Sequence, residues 1–255
     1  ARVCHSPSLK GMRTTIGEGA ATNPFDDIYK TENIVVMGSN TTEAHPIVAN
    51  RMIKAARDKT ATLTVIDVRQ TQLSKFGDQL IIPYEANLLV LNMMAYVILS
   101  EKLYNTEFID SRCTGFEAYK DSILNDPYAN PEYMKNVSGY EYLTEQIPTV
   151  ARLYATKKSM FFWGLGITEH LDGSYAVMAI THLAMMTGNI GKTGTGLMPL
   201  RGQNNVQGAC DTGCLPYYGP DYSVPEEIGL MTPQLIDEMI AGKIKLYFAS
   251  RKKEG

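Results

Sequence analysis

The chain has 255 residues, of which 44% are hydrophobic and 20% charged, and its formal net charge is -3. The mild acidity without Lys/Arg clusters disfavours nucleic acid as a partner, and no apolar run approaches the roughly 20 residues that a membrane span needs. Four cysteines are too few for a disulfide scaffold and suit a reducing compartment, so we expect a cytoplasmic protein of one or two domains.

Short apolar runs alternate with helical periodicity along the first hundred residues. The first run is closed by Gly38 and the second by Asp67. The predicted elements are a strand at 34–37, a helix at 44–57, strands at 63–66 and 80–82, and a helix at 88–99. Near-continuous apolar strands separated by helices indicate a parallel sheet covered on both faces.

The second part of the chain continues this alternation. It first predicts short helices at 105–125, a loop at 126–139, a helix with Thr144 as N-cap and Pro148 in its first turn, and a strand at 160–163. A helix at 174–187 and a glycine-rich passage at 188–219 follow. The last predicted elements are a helix with Thr232 as N-cap and Pro233 as its first residue, and a strand at 245–249. Together the elements predict an α/β fold with a doubly wound, mainly parallel sheet of the dinucleotide-binding type. Polar loops after Gly38, Asp67 and Gly164 lie where open α/β sheets bind ligands.

The first and last residues suggest part of a longer protein. The chain begins at Ala1 without an initiator Met or a signal segment, and charged residues follow the last predicted strand directly. We therefore expect a truncated chain.

Residues 201–211 combine one arginine, several amides and two glycines without apolar periodicity, so we expect no core helix or strand there. Two interpretations fit. The segment is a solvated surface loop, or a polar ligand satisfies its donors and acceptors.

Two further motifs have weak support. Gly191, Lys192 and Thr193 could end a phosphate-binding loop, but Met186 replaces the first glycine and a helix precedes it where that loop needs a strand. Cys210 and Cys214 lack the spacing and the second pair of a zinc knuckle.

Single histidines and cysteines leave alternatives open. His45 follows the first strand loop, where it could contact a ligand or serve as a hydrogen-bonded structural residue. Cys4 precedes His5, and an imidazole can stabilise a thiolate, which is both a nucleophile and a soft-metal ligand. An incidental buried cysteine also fits Cys4 alone.

Two segments together, residues 2–7 (Arg-Val-Cys-His-Ser-Pro) and 199–213, resemble the catalytic subunit of molybdenum- or tungsten-dependent formate dehydrogenases. Residues 33–50, 163–170 and 187–192 continue the resemblance in order. Tyr84 and Glu85 depart from it, because the family often has small residues there.

The resemblance implies a cofactor and a reaction. In that family two molybdopterin guanine dinucleotides hold one Mo or W, and formate is oxidised to carbon dioxide or formed from it. Cys4 matches the metal-ligating position, His5 the proposed proton acceptor or relay, and Arg201 the arginine that holds the formate carboxylate. The residues implied to contact the guanine dinucleotides are Gly38, Asn40, Glu43, Asp67, Arg69, Asn87, Gly166 and Gln203.

The resemblance also implies a domain organisation. Residues 1–201 correspond to a molybdopterin guanine dinucleotide-binding domain, and residues 202–255 to the start of a return segment into a second, incomplete α/β domain. The family's iron-sulfur motif does not occur in this sequence, so we expect the chain alone to be inactive and electron-transfer subunits or acceptors to be its partners. A related oxyanion reductase and a cofactor-free, non-catalytic domain are the alternatives.

Overall fold

A computed structural model of the chain describes residues 4–137 and 139–245. The described chain forms two compact units, of which the larger ends at Gly202 and the smaller begins at Gln203. The strands, all in the larger unit, are β1 (Asn33–Met37), β2 (Thr62–Asp67), β3 (Asp78–Ile81), β4 (Ser159–Trp163) and β5 (Gly196–Pro199). They form one parallel sheet in the order β3-β2-β1-β4-β5.

The described helices are α1 (Ser6–Ile16), α2 (Thr41–Ala44), α3 (Pro46–Arg57), α4 (Asn87–Ser100), α5 (Thr106–Arg112), α6 (Phe116–Leu124), α7 (Pro131–Met134), α8 (Leu143–Thr156), α9 (Leu165–Thr168), α10 (Gly173–Thr187), α11 (Val206–Asp211) and α12 (Thr232–Ile240). Helices α1–α10 belong to the larger unit with the sheet, and helices α11 and α12 belong to the smaller unit. Short 3₁₀ helices cover Phe25–Tyr29, Leu73–Phe76, Pro127–Ala129 and Pro220–Tyr222. Within the described ranges, no helix is both long and apolar enough to cross a membrane.

The sheet has an apolar core on each face. Along β1, Val35 and Met37 join one core cluster while Ile34 and Val36 join the other, as the period of two in a strand requires. The first cluster includes side chains of α1, α4, α8 and α10, and the second includes side chains of α3. Helix α4 is apolar on nearly all sides because it packs between α8 and α10. This arrangement confirms the predicted doubly wound α/β fold.

The predicted strands that became β1, β2 and β4 lie within one residue of their observed positions, and β3 begins two residues earlier than expected. Helices α3, α4 and α10 are confirmed with shifted ends. The expected short helices at 105–125 are α5 and α6.

The prediction of a loop at 126–139 was wrong, and the glycine-rich passage at 188–219 contains a strand that was not predicted. The expected loop at 126–139 contains a 3₁₀ helix and α7, because Asp126 and Asn130 each cap a helix whose first residue is a proline. The glycine-rich passage contains β5, whose four residues Gly-Leu-Met-Pro are too few to show strand periodicity.

Two predicted helix starts were also wrong. Helix α8 begins at Leu143, so Thr144 lies inside it and donates its hydroxyl proton to the Glu141 carbonyl, and Pro148 lies beyond the first turn. Helix α12 begins at Thr232, with Met231 as its N-cap, rather than at Pro233. Residues 246–249 of the last predicted strand lie outside the described residues.

Candidate active site

The strand order places a crevice at the centre of the sheet. Strands β1 and β4 are neighbours, but the chain runs outward from β1 to β2 and β3 and in the opposite direction from β4 to β5. The loops after β1 and β4 therefore diverge at the carboxyl edge, where open α/β sheets bind their ligands.

Gly38 and Gly166 bring these two loops into backbone contact. Gly38 has a φ of +60°, and a Cβ atom on it would lie 2.8 Å from the carbonyl carbon of Gly166. The Gly166 N–H donates to the Gly38 carbonyl at 3.0 Å, and the Asn87 side-chain amide donates to the Gly166 carbonyl at 2.8 Å. Three of the predicted cofactor-binding residues thus lie together, and no side chain fits between the loops.

The other predicted binding residues of the larger unit lie at two strand ends. Asn40 and Glu43 lie at α2, where the Asn40 side-chain oxygen accepts from Thr42 at 3.3 Å and Glu43 is exposed. Asp67 ends β2, and its carboxylate accepts the Arg69 backbone N–H at 3.3 Å. Burial raises the pKa of the Asp67 carboxyl. A carboxylate at the end of the second strand is well placed to accept a ribose hydroxyl.

Cys4 and His5 precede α1 and are both buried. The Thr168 hydroxyl donates to the Cys4 carbonyl, which fixes this backbone against α9. The His5 ring is held at both nitrogens, since Nε2 lies 2.6 Å from the Leu200 carbonyl oxygen and Nδ1 lies 2.8 Å from Ser8 Oγ.

The partners of His5 determine its tautomer. A carbonyl oxygen can only accept, so Nε2 carries the proton and, in the neutral ring, Nδ1 accepts from the Ser8 hydroxyl. Ser8 Oγ in turn accepts the Trp163 indole N–H at 2.8 Å. The pKa of His5 is lowered from 6.5 to about 4: burial is the largest cause, the hydrogen bond to Leu200 opposes it, and the charge of Arg201 adds to it. His5 is therefore neutral at neutral pH.

Arg201 lies two residues beyond the end of β5. The Leu200 N–H donates to the Trp163 carbonyl at 2.8 Å and so extends the pairing of β5 with β4 by one residue. The Arg201 guanidinium donates to the Gly19 carbonyl at 3.3 Å, and His45 Nε2 lies 2.5 Å from the Arg201 carbonyl oxygen. Cys4, His5 and Arg201 are thereby joined through His5 and Leu200, although 195 positions separate those two residues.

Gln203 belongs to the smaller unit, where much of the polar run satisfies itself. Asn205 accepts the Gly208 N–H and caps α11, while Gln207 donates to the Asp211 carboxylate and to the Tyr222 hydroxyl. The segment contains no core helix or strand, as expected, but its second half forms the short helix α11, in which Val206 and Cys210 lie one turn apart and are both buried. Gln203, Asn204, Asn205 and Gln207 are exposed, so a ligand is not needed to satisfy them.

The phosphate-loop interpretation of Gly191 and Lys192 is excluded by the chain geometry. Helix α10, not a strand, precedes them and ends at Gly188, which has a φ of +68°. Lys192 lies over the Phe108 ring at 5.8 Å from its centroid. Ser8, Trp163 and Gly19 were not predicted as site residues, because nothing in their sequence neighbourhood shows that they contact His5 or Arg201.

Comparison with known proteins identifies the family. Residues 1–254 match the family described as molybdopterin oxidoreductase. The chain belongs to the molybdopterin oxidoreductase family. Its relatives include an F420-dependent formate dehydrogenase subunit alpha of Methanocaldococcus jannaschii, 40% identical over 93% of this chain and 37% of the relative. Formate dehydrogenase H of Escherichia coli is 41% identical over 87% of this chain and 30% of that protein.

The chain spans about a third of the length of these molybdopterin oxidoreductases. Acetylene hydratase from Pelobacter acetylenicus has a similar fold, with a TM-score of 0.66 and 21% identity over 77% of this chain and 26% of its own. At this identity the similarity supports the α/β fold alone.

The residues at the carboxyl edge fit a molybdopterin cofactor in two respects. Gly166 is exposed and has no side chain, so a flat or charged group can approach its backbone closely. Cys4 supplies a soft sulfur donor of the kind that suits a transition metal rather than Mg²⁺ or Ca²⁺.

Proposed function

We propose that this chain is part of a formate dehydrogenase catalytic subunit, which oxidises formate to carbon dioxide or catalyses the reverse at a bis(molybdopterin guanine dinucleotide) Mo or W centre. The formate dehydrogenase names of the relatives support this proposal. When bound, the metal centre takes up the two electrons of the oxidation.

One contact carries the proposal. The 2.6 Å hydrogen bond between His5 Nε2 and the Leu200 carbonyl joins the segment that contains the thiol to the segment that contains the arginine. A soft metal ligand, an imidazole and a guanidinium on neighbouring backbone supply the three functions that formate oxidation requires: attachment of the metal, management of a proton and orientation of an anion.

In this proposal Arg201 binds and orients formate. Its guanidinium is always charged and offers several N–H donors, of which Nη2 contacts the Gly19 carbonyl. The remaining donors can bind a carboxylate in the paired geometry that arginine favours.

His5 would hold a proton at Nδ1. Nε2 already carries the proton that is directed to Leu200, so an arriving proton binds Nδ1, and Ser8 Oγ then accepts from the ring instead of donating to it. The lowered pKa of about 4 means that His5 releases this proton readily and returns to its neutral form.

We further propose that Cys4 binds the metal and that the guanine dinucleotides contact the predicted residues at the strand ends. Asp67 would accept from a ribose hydroxyl, Arg69 would neutralise a phosphate, and the backbone at Gly38 and Gly166 would allow close approach of the pyrophosphate. Asn40, Glu43, Asn87 and Gln203 complete the proposed set.

Three broader proposals rest on sequence. Residues 1–201 would form the cofactor-binding domain, and residues 202–255 would begin the return segment of a second domain. An iron-sulfur cluster and electron-transfer partners would belong to the complete protein, and the cysteine content favours a cytoplasmic location.

Substitution of Cys4 in the complete protein tests the proposed function. Cys4→Ala should abolish formate-dependent reduction of a dye and lower the Mo or W content measured by mass spectrometry, because the metal loses its protein ligand. Cys113→Ala is the matched control, since Cys113 lies at the end of α5 and has no proposed role. Full turnover in Cys4→Ala would refute the assignment.

A further inference from the structure

We propose that His45 is a positioning residue that holds the Arg201 backbone and thereby sets where the guanidinium lies. This inference rests on the proposed function, in which Arg201 binds formate. His45 Nε2 lies 2.5 Å from the Arg201 carbonyl oxygen. Because that oxygen can only accept, Nε2 is the donor, and the contact joins the start of α3 to the residue that follows Leu200.

His45 occupies a helix N-cap without capping the helix. An N-cap side chain normally accepts a backbone N–H from the first turn, but the His45 ring makes no such bond with α3. His5 behaves in the same way at the N-cap of α1. Both imidazoles instead donate to the segment after β5, His5 to Leu200 and His45 to Arg201.

The two imidazoles therefore hold consecutive carbonyl groups. Leu200 is already fixed to β4 through its N–H, which donates to the Trp163 carbonyl. The sheet pairing does not extend to Arg201, and the His45 contact supplies a fixed donor to its backbone at that point. Together with the bond from Nη2 to Gly19, this contact restrains Arg201 at both its backbone and its side chain.

The second ring nitrogen of His45 argues against a role in packing alone. Nδ1 is buried and has no hydrogen-bond partner among the described residues. A buried acceptor without a partner destabilises the folded state, so a residue without Nδ1 would serve packing better. The contact from Nε2 to Arg201 accounts for a histidine at this position.

Two substitutions of similar size separate the donor from the bulk of the side chain. In His45→Gln the amide nitrogen replaces Nε2 as a donor, whereas His45→Met fills the space without a donor. In the complete protein, His45→Met should raise the KM for formate roughly three- to tenfold, the range expected for one lost hydrogen bond, with kcat nearly unchanged. His45→Gln should restore the wild-type KM.

Backbone hydrogen exchange gives a readout that does not depend on turnover. We expect the peptide that covers residues 200–202 to exchange faster in His45→Met than in the wild-type protein, and at the wild-type rate in His45→Gln. His182→Gln is the control, because His182 packs on the Tyr119 ring and not on this segment. His182→Gln should change neither the KM for formate nor the exchange rate of residues 200–202.

The outcomes distinguish this inference from the proposed function. If the wild-type protein oxidises formate and His45→Met changes neither its KM nor the exchange of residues 200–202, the positioning role is wrong. A KM that rises equally in the Gln and Met variants would likewise overturn it. If the wild-type protein does not oxidise formate, the proposed function fails, and faster exchange in His45→Met alone would still show that His45 holds the Arg201 backbone.

Discussion

At the scale of single residues, the hydrogen-bond chain from Trp163 through Ser8 to His5 explains how a buried imidazole keeps one tautomer. The Trp163 indole N–H donates to the Ser8 hydroxyl, and the Ser8 hydroxyl donates to Nδ1 of the neutral His5 ring. Because the chain ends at the Leu200 carbonyl, it also connects α1 to the end of β5.

Ser8→Ala should lower the free energy of unfolding by about 1–3 kcal/mol, because it leaves the buried Trp163 N–H and His5 Nδ1 without partners. Urea unfolding of the purified chain measures this loss. Ser100→Ala is the control, since Ser100 is exposed at the end of α4 and bonds only within its own helix. Equal, small losses in the two variants would show that the chain of hydrogen bonds contributes little.

The lowered pKa of His5 predicts how stability depends on pH. Between about pH 6.5 and 4, His5 binds a proton in the unfolded chain but not in the folded chain. The contribution of neutral His5 to the free energy of unfolding is therefore complete above pH 6.5, the pKa in the unfolded chain, and it declines as the pH falls toward 4. The decline should amount to at most about 3 kcal/mol.

His5→Gln tests this prediction through the slope of unfolding free energy against pH. The slope between pH 6.5 and 4 should be shallower than in the wild-type chain. Burial also lowers the pKa of His182, so both proteins are compared in a His182→Gln background. An unchanged slope would contradict the lowered pKa of His5.

The sequence pointed to Cys4, His5 and Arg201 because two separated motifs resembled one family, and the structure joins the two segments that contain them. The partners of these residues could not be predicted in the same way. Ser8 is one turn from His5 and is an ordinary helical serine, and its contact with Trp163 joins residues 155 positions apart. His45 could be noticed but not assigned, because its partner is a backbone carbonyl.

At the scale of elements, the contact between the loops after β1 and β4 shapes the crevice. Gly38 combines a positive φ with a neighbouring backbone that any side chain would meet. Gly115 also has a positive φ, +74°, but a Cβ atom there would have nothing within 4 Å. Substitution of Gly115 therefore measures the effect of backbone strain alone, and substitution of Gly38 measures strain together with steric crowding.

Gly115→Ala should destabilise the chain by about 1–2 kcal/mol, the effect of a left-handed conformation in a residue with a side chain. Gly38→Ala should destabilise it by about 1–3 kcal/mol more, because the Gly166 backbone must also move. Thermal or urea unfolding of both variants measures the difference. Equal destabilisation would mean that the loops can separate without penalty.

Helices and strands were predictable where an apolar run or a helical period extended over enough residues to be recognised in the sequence. β1 and β4 are wholly buried and are apolar after their first residue, and α10 has fifteen residues. β5 was missed because only Leu197 and Met198 distinguish it from the glycine-rich passage around it. Its existence depends on pairing with β4, which is a contact between distant parts of the chain.

At the scale of the whole molecule, the strand order explains why the predicted site residues of the larger unit share one edge. A parallel sheet places the carboxyl ends of all its strands at that edge, so the positions of Gly38, Asp67 and Gly164 follow from the fold class alone. Arg201 reaches the same edge through β5, which was not predicted. The position of β1 beside β4, which locates the crevice, was not predictable from the order of elements along the chain.

The chain spans only about a third of the formate dehydrogenases that it matches, so the choice of formate is the claim that most needs a direct measurement. Dye-linked assays of the complete wild-type protein, with formate and with nitrate as alternative substrates, test it. We predict formate-dependent reduction of an oxidised dye, with two electrons transferred for each carbon dioxide formed. Nitrate-dependent oxidation of the reduced dye, without any activity on formate, would contradict the account.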